Sequence, residues 1–246
     1  MNGFERWGIE HLSASSLNKA IASLDSWVIS YVFGIKDPSN AAMSRGNAVE
    51  MGGHAWLQGG TVEEAVKVAT DEFNKLTCLG IDGDSRAKEL ANIAPMVEQT
   101  AAAFGDKRPD IADYQKRVEV EIPGVPIPLM GFTDYGFEDT IVDLKTTMRM
   151  PSAIPAAHRR QGAIYRRSGN RAVDFLYVTQ KKFSRYRLEN DEQDWLEICQ
   201  AANRLNRWLD KFETREEMAA TIIPNYDSFY WNSPQTREKG REIFGY

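Results

Sequence analysis

The sequence predicts an α/β fold in which a central mixed β-sheet is flanked by α-helices. Three observations carry the prediction. Apolar residues recur every three or four positions through much of the first half, Val118, Val120 and Ile122 then alternate with Glu119 and Glu121, and a long one-sided amphipathic helix follows the strand region. With 246 residues, 42% of them hydrophobic and 26% charged, the chain has an ordinary globular composition and can bury a substantial core. We read a single domain over residues 1–246, with an N-terminal helical segment to about residue 110 and a C-terminal helix plus aromatic tail from about residue 190.

Near the start, "HLSASSLNKAIASLDSWVISYVFG" offers Ser13 or Ser15 as a cap, followed by Leu17, Ile21, Leu24, Val28 and Tyr31 at the spacing of one amphipathic helix. "NAAMSRGNAVEMGGHAWLQG" reads as a second helix. Its Gly52-Gly53 pair, at about 1 kcal/mol per glycine relative to alanine, is either a tolerated defect or a place of close backbone approach. "SRAKELANIAPMVEQTAAAF" reads as a third, kinked or split at Pro95. Strand signals run from "QKRVEVEIP" through "IPLMGFTDYGF", and "DTIVDLKTT" follows a tight turn near Glu138 and Asp139. "PAAHRRQGAIYRRSG" is a basic helix ended by Gly169, and "RAVDFLYVTQKKFSRYRLEN" is a strand pair or a strand and bend. In "DEQDWLEICQAANRLNRWLDKF" the residues Trp195, Ile198, Ala202, Leu205, Leu209 and Phe212 form one buried stripe. The tail carries Tyr226, Phe229, Tyr230, Trp231, Phe244 and Tyr246, expected to pack back on the body.

No apolar run approaches the ~20 residues that span a bilayer, and the N-terminus lacks a basic segment followed by an apolar one, so the expectation is a cytoplasmic protein without a membrane partner. Two cysteines, Cys78 and Cys199, cannot build a four-cysteine zinc or iron-sulfur centre. No P-loop is present, so no Walker-type ATP site is expected. The net charge of -5 argues against a general nucleic-acid coat, yet Lys145 to Arg187 holds eleven Lys and Arg against one acid, Asp174. That run fits a polyanion-docking face, and equally a solvated helix face with a lysine-guarded strand edge.

Side chains two apart on a strand face the same way, so Asp143 and Lys145 project together while Leu144 points to the opposite face. Asp134, nine positions earlier on the preceding strand of a hairpin, can meet Asp143. Two carboxylates this close stay ionised cheaply only with a cation between them, and hard oxygen ligands suit Mg2+ or Mn2+. A same-face salt bridge on a half-exposed sheet is the alternative for Asp143 and Lys145 alone; Asp134 and the apolar flanks favour the metal site.

"GFTDYGFEDTIVDLKTT" resembles the central motif of the PD-(D/E)XK nucleases, in particular the branch of lambda exonuclease and RecB-like nucleases. "RGNAVE", Arg45 to Glu50, resembles that family's upstream helix, "QGAIY", Gln161 to Tyr165, its Gln-x-x-x-Tyr motif, and "LSASSLN" its usual opening; together they cover roughly Leu12 to Tyr186 in the expected order. The resemblance implies a restriction-endonuclease-like core and a DNA exonuclease of the phage recombination or repair type. In it, Glu50, Asp134 and Asp143 hold divalent metal, two Mg2+ or Mn2+ per site, with the Leu144 backbone carbonyl as a further ligand. Lys145 would orient or help deprotonate the attacking water, while Gln161 and Tyr165 contact the catalytic centre or the DNA. The alternatives are an endonuclease using the same site and an inactive nuclease-derived DNA-binding subunit. A single-strand annealing partner and a homo-oligomer are also compatible with the resemblance.

RecB-like members usually carry a histidine where this chain has Glu50, and His54, one turn on, is either an accessory ligand or a hydrogen-bonded histidine. Arg159, Arg160, Arg166 and Arg167 are the leading candidates for phosphate contacts. Arg45, Ser13 and Ser15 are candidates for a terminal phosphate, the serines being alternatively plain caps. Trp27 and Tyr31 fit the core better than a base-stacking platform.

Overall fold

The computed structural model describes residues 2–79, 81–105 and 108–245. Helices fill the first part: α1 (Gly3–Arg6), α2 (Ala14–Ala22), α3 (Leu24–Tyr31), α4 (Ala41–Leu57), α5 (Val62–Leu76), α6 (Gly83–Leu90) and α7 (Ile93–Phe104). Strands β1 (Asp113–Val120), β2 (Leu129–Gly136) and β3 (Thr140–Thr146) follow, then helix α8 (Ala156–Arg167), strands β4 (Ala172–Val178) and β5 (Phe183–Arg187), and helices α9 (Glu192–Leu209), α10 (Arg215–Ala220) and α11 (Pro234–Phe244).

The strands form one mixed sheet in the order β1-β2-β3-β4-β5. The β1–β2, β2–β3 and β4–β5 pairs are antiparallel, while β3 and β4 run parallel because α8 carries the chain back across the sheet between them. The expected α/β architecture is therefore present. On one face, Tyr135, Val142, Leu144, Leu176 and Val178 pack against α4, α5 and α7. On the other, Ile141, Val173, Phe175 and Tyr177 pack against Tyr165 of α8. Among the described residues no helix is long and apolar enough to cross a membrane.

Two local expectations need correction. The predicted single helix over Leu17 to Tyr31 is two helices, broken at Ser23 with a non-helical backbone (φ -158°, ψ 84°), and Ile21 is left exposed. The break follows from a distant demand: buried Asp25 accepts hydrogen bonds from the Ser23 hydroxyl (2.5 Å), the Trp231 indole (2.8 Å) and the Asn225 N–H (2.6 Å), and so anchors the tail. Trp231 thus packs back as expected, whereas Phe229 stays 79% exposed and Tyr246 lies outside the described residues. The second concerns α5, which lies inside the expected N-terminal helical segment but was not singled out as a helix. Its signal is present in the Thr61–Glu64 capping box and the buried stripe Ala65, Ala69 and Phe73. The third predicted helix is split as foreseen, into α6 and α7, with Pro95 in the first turn of α7.

The Gly52-Gly53 pair marks close approach. A β-carbon on Gly52 would lie 2.8 Å from the Ala65 carbonyl and 2.9 Å from Ala69 Cβ; one on Gly53 would run into Tyr135 Oη and come 2.9 Å from Thr100 Cγ2. Gly53→Ala is therefore expected to cost about 1–3 kcal/mol, measured as a drop in the urea midpoint, and Tyr135→Phe in the same chain should recover part of it.

Candidate active site

β2 and β3 pair only at Tyr135↔Val142 and Gly136↔Ile141, after which they part. The backbone N–H of Leu144, which a longer ladder would have satisfied, donates instead to Asp134 Oδ2 at 2.7 Å. The N–H and C=O of one strand residue point to the same side, so the Leu144 carbonyl faces this same opening. Asp143, fully buried, stands on β3 with its carboxylate ion-paired to Lys145. Gln161 of α8 donates one amide N–H to Asp143 Oδ1 (3.2 Å) and the other to Tyr165 Oη (2.7 Å), and Tyr165 donates to the Phe132 carbonyl (2.6 Å). The i, i+4 pair on α8 thereby ties β3 at Asp143 and β2 at Phe132, one on each side of the opening.

Glu50 enters from α4, whose backbone is fixed at that point by Tyr135 Oη donating to the Glu50 carbonyl at 2.6 Å. Gln115 Nε2 donates to its carboxylate at 3.1 Å. The three acids lie close enough to influence one another's protonation. Burial pushes the Asp134 carboxyl well above the usual range, and the charges of Asp143 and Glu50 push further, against the pull of Lys145 and the Leu144 N–H. Burial likewise raises Asp143 and Glu50. For Lys145, burial favours loss of the proton, but Asp143, Asp134 and Glu50 outweigh it and hold the ammonium above the ordinary lysine range.

Among the described residues no three His, Cys, Asp or Glu side chains already form a metal-holding cluster. Each acid is engaged by a protein donor. The donor set nevertheless fits a hard divalent cation: all three acids offer carboxylate oxygens, the charge of Asp143 raises both Asp134 and Glu50, and Asp143 Oδ2 is buried with no hydrogen bond, its one partner being the Lys145 ion pair. The two cysteines are both free thiols.

The other candidates fall into two groups. His54 stacks on Tyr114 (centroids 3.7 Å apart, planes within 5°) and contacts Gln58 at 3.3 Å, with burial lowering its pKa. Arg45 is buried, ion-paired to Glu89, and lies 3.4 Å from Thr146 Oγ1, so it braces the end of β3. Ser13 is the N-cap of α2 in a capping box, with Ser15 Oγ 3.0 Å from its hydroxyl. Trp27 is buried and stacks on Tyr31. The four arginines of α8 are committed to acids of α9 and its approach: Arg159 to Asp194, Arg160 to Glu197, and Arg166 and Arg167 to Asp191.

Sequence reasoning missed Tyr114, Gln115 and His158. His158 Nδ1 lies 2.7 Å from Tyr177 Oη, and burial with the nearby Lys145 charge pushes its imidazole down to about 4. Gln115 lies between Tyr114, paired with Tyr135, and Lys116, paired with Thr133, without a partner of its own in the β1–β2 register, and is one of two described non-glycine residues with positive φ, at 46°. A strained residue that bonds a site carboxylate is a placed feature. Gln115→Gly and Gln115→Ala both remove the bond to Glu50, but only glycine relieves the backbone, so the glycine variant is expected to be the more stable by ~1 kcal/mol in chemical denaturation.

No protein-family model matches the chain, and no curated protein matches it. Among solved structures it is similar to one described as the crystal structure of SSO0001, at 9% identity and a TM-score of 0.35, over 78% of this chain and 83% of that chain. A likeness at that level carries no argument about function.

Proposed function

We propose that this chain is a Mg2+- or Mn2+-dependent deoxyribonuclease with a restriction-endonuclease-like core, of the lambda exonuclease and RecB-like branch, acting on DNA ends in the cytoplasm of a bacterial host during phage recombination or repair. The observation that carries the reading is the convergence of Glu50 from α4, Asp134 from β2, and Asp143 and Lys145 from β3 on the opening where β2 and β3 part.

In this reading Glu50, Asp134, Asp143 and the Leu144 carbonyl hold the divalent cations, which when bound lower the pKa of the attacking water and stabilise the leaving oxygen. Asp134 keeps the Leu144 backbone oriented through the N–H it accepts. Gln161 fixes the Asp143 carboxylate and is itself fixed by Tyr165. Lys145 starts as an ammonium held by anions, suited to orienting the attacking water and countering charge on the phosphoryl oxygens. Bound cations would neutralise those carboxylates and so remove part of what holds the Lys145 proton.

The test is digestion, with Mg2+, of a covalently closed circle and of the same DNA linearised. Degradation of the linear form alone supports the exonuclease. Cutting of the circle moves the reading to an endonuclease with the same site, and no metal-dependent cleavage of either form, nor of single strands, overturns nuclease activity in favour of a binding subunit.

A further inference from the structure

The basic run from Lys145 to Arg187 does not act as a block. Eight of its eleven cations are ion-paired within the chain: Lys145 with Asp143, Arg159 with Asp194, Arg160 with Glu197, Arg166 and Arg167 with Asp191, Arg171 with Asp113, and Arg185 and Arg187 with Asp174. Three remain, Arg149, Lys181 and Lys182, all exposed and in no ion pair among the described residues.

These three are far apart in sequence but leave the sheet side by side. β3 and β4 are parallel neighbours, with Lys145 opposite Tyr177 and Thr146 opposite Val178. Arg149 follows the carboxyl end of β3, and Lys181 and Lys182 occupy the turn after β4. The Thr147 N–H donates to the Val178 carbonyl at 2.9 Å, continuing the pairing beyond the strands. Both segments are held in place. Thr147 Oγ1 donates to the Arg149 carbonyl at 2.9 Å, and Tyr186 Oη donates to the Pro151 carbonyl at 2.9 Å. Thr179 Oγ1 accepts the N–H groups of Lys181 (3.3 Å) and Lys182 (3.1 Å), while Gln180 reaches Asn92. Two exposed apolar side chains adjoin the cations, Met148 at 55% and Phe183 at 39%.

We propose that this rim, made of the β3–α8 loop and the β4–β5 turn, is the surface that grips the DNA backbone, with Arg149, Lys181 and Lys182 on phosphates and Met148 and Phe183 against sugars and base edges. It rests on the nuclease reading for its substrate. A protein of net charge -5 gains little from its overall field on approaching a polyanion, so the contact needs a local group of uncompensated cations. Ion-paired arginines would first have to give up a carboxylate. The rim lies at the carboxyl ends of parallel strands, immediately beyond Lys145, where a bound backbone would lead its phosphodiester to the acids.

The test compares wild type, the triple variant Arg149→Gln, Lys181→Gln, Lys182→Gln, and Arg166→Gln. Binding of a fluorescein-labelled DNA duplex is followed by anisotropy in Ca2+ across a salt series, and cleavage in Mg2+ is measured separately. The triple variant is expected to lose roughly tenfold or more in affinity at moderate salt and to flatten the slope of log Kd against log salt by about two to three, near one per phosphate contact. Arg166→Gln should change both little. All three substituted side chains are exposed, and the turn is held by backbone N–H groups that survive substitution. If wild type cleaves while the triple variant keeps its affinity and slope, the rim is overturned and the nuclease stands. If wild type binds without cleaving and the triple variant loses binding, the rim stands and the nuclease reading falls. No binding by wild type overturns the rim whatever the cleavage result.

Discussion

Lys145→Ala should slow metal-dependent DNA cleavage by about 10²–10⁴-fold while leaving DNA affinity within a few-fold of wild type. The expectation follows from where the lysine sits. Among the described residues its ammonium is the cation that draws on Asp143, Asp134 and Glu50 together, and in the proposed mechanism it meets charge that develops on the substrate rather than holding DNA in the ground state. Truncation also leaves Asp143 fully buried without its ion pair, a loss that commonly costs about 3–5 kcal/mol in stability. Circular dichroism and the denaturation midpoint must therefore accompany the rate. Lys145→Arg separates fold from chemistry: it keeps the positive charge beside Asp143 but cannot lose its proton at any working pH. A folded Lys145→Ala with wild-type turnover would remove the lysine from the mechanism. A fully active Lys145→Arg would exclude proton abstraction by this residue and leave orientation and charge stabilisation as its role.

Much of the site was legible because its parts follow short-range rules. Asp143 and Lys145 share a face by the two-residue period of a strand, and Gln161 and Tyr165 share one by the i, i+4 spacing of a helix. The parting of β2 and β3 was not legible, since nothing in "GFTDYGFEDTIVDLKTT" states that pairing stops after Tyr135↔Val142. The fate of the basic run was hidden for a similar reason. Asp191, Asp194 and Glu197 lie some thirty residues beyond the arginines that they neutralise, and only the packing of α9 on α8 brings them together. Gln115 could not be singled out either, because its positive φ comes from the sheet around it and its residue type gives no hint of one. By contrast, α5 had a readable capping box, and at the break the local Ser23–Asp25 hydrogen bond is joined by one from Trp231, some two hundred positions away, that no local pattern announces.

Asp134→Asn should make the metal-free protein more stable and inactive at once. The folded-state pKa of Asp134 is raised above its unfolded value, by burial first and by Asp143 and Glu50 next. A carboxyl raised in this way contributes stability at pH below the ordinary carboxylate range, and that contribution is lost as pH rises through the raised value. Near neutral pH and without a cation, the opening is therefore held at the expense of stability. Asparagine carries no charge, yet its carbonyl can still accept the Leu144 N–H that Asp134 Oδ2 accepts. The expected gain is of order 1–3 kcal/mol, which for a chain of this length corresponds to an increase in Tm of roughly 2–4 °C per kcal/mol. The gain should shrink toward acid, where the wild-type carboxyl takes up its proton. Divalent cation should have the opposite pattern. Mn2+ at a hundred times its Kd would stabilise wild type by ~2.7 kcal/mol, an amount that EDTA reverses, and Asp134→Asn should lose most of that response. Thermal scans with EDTA and across a Mn2+ series read both effects on the same samples. A variant less stable than wild type in EDTA, with an unchanged Mn2+ response, would mean that Asp134 is a structural acceptor for Leu144 and that the cation is held elsewhere or not at all.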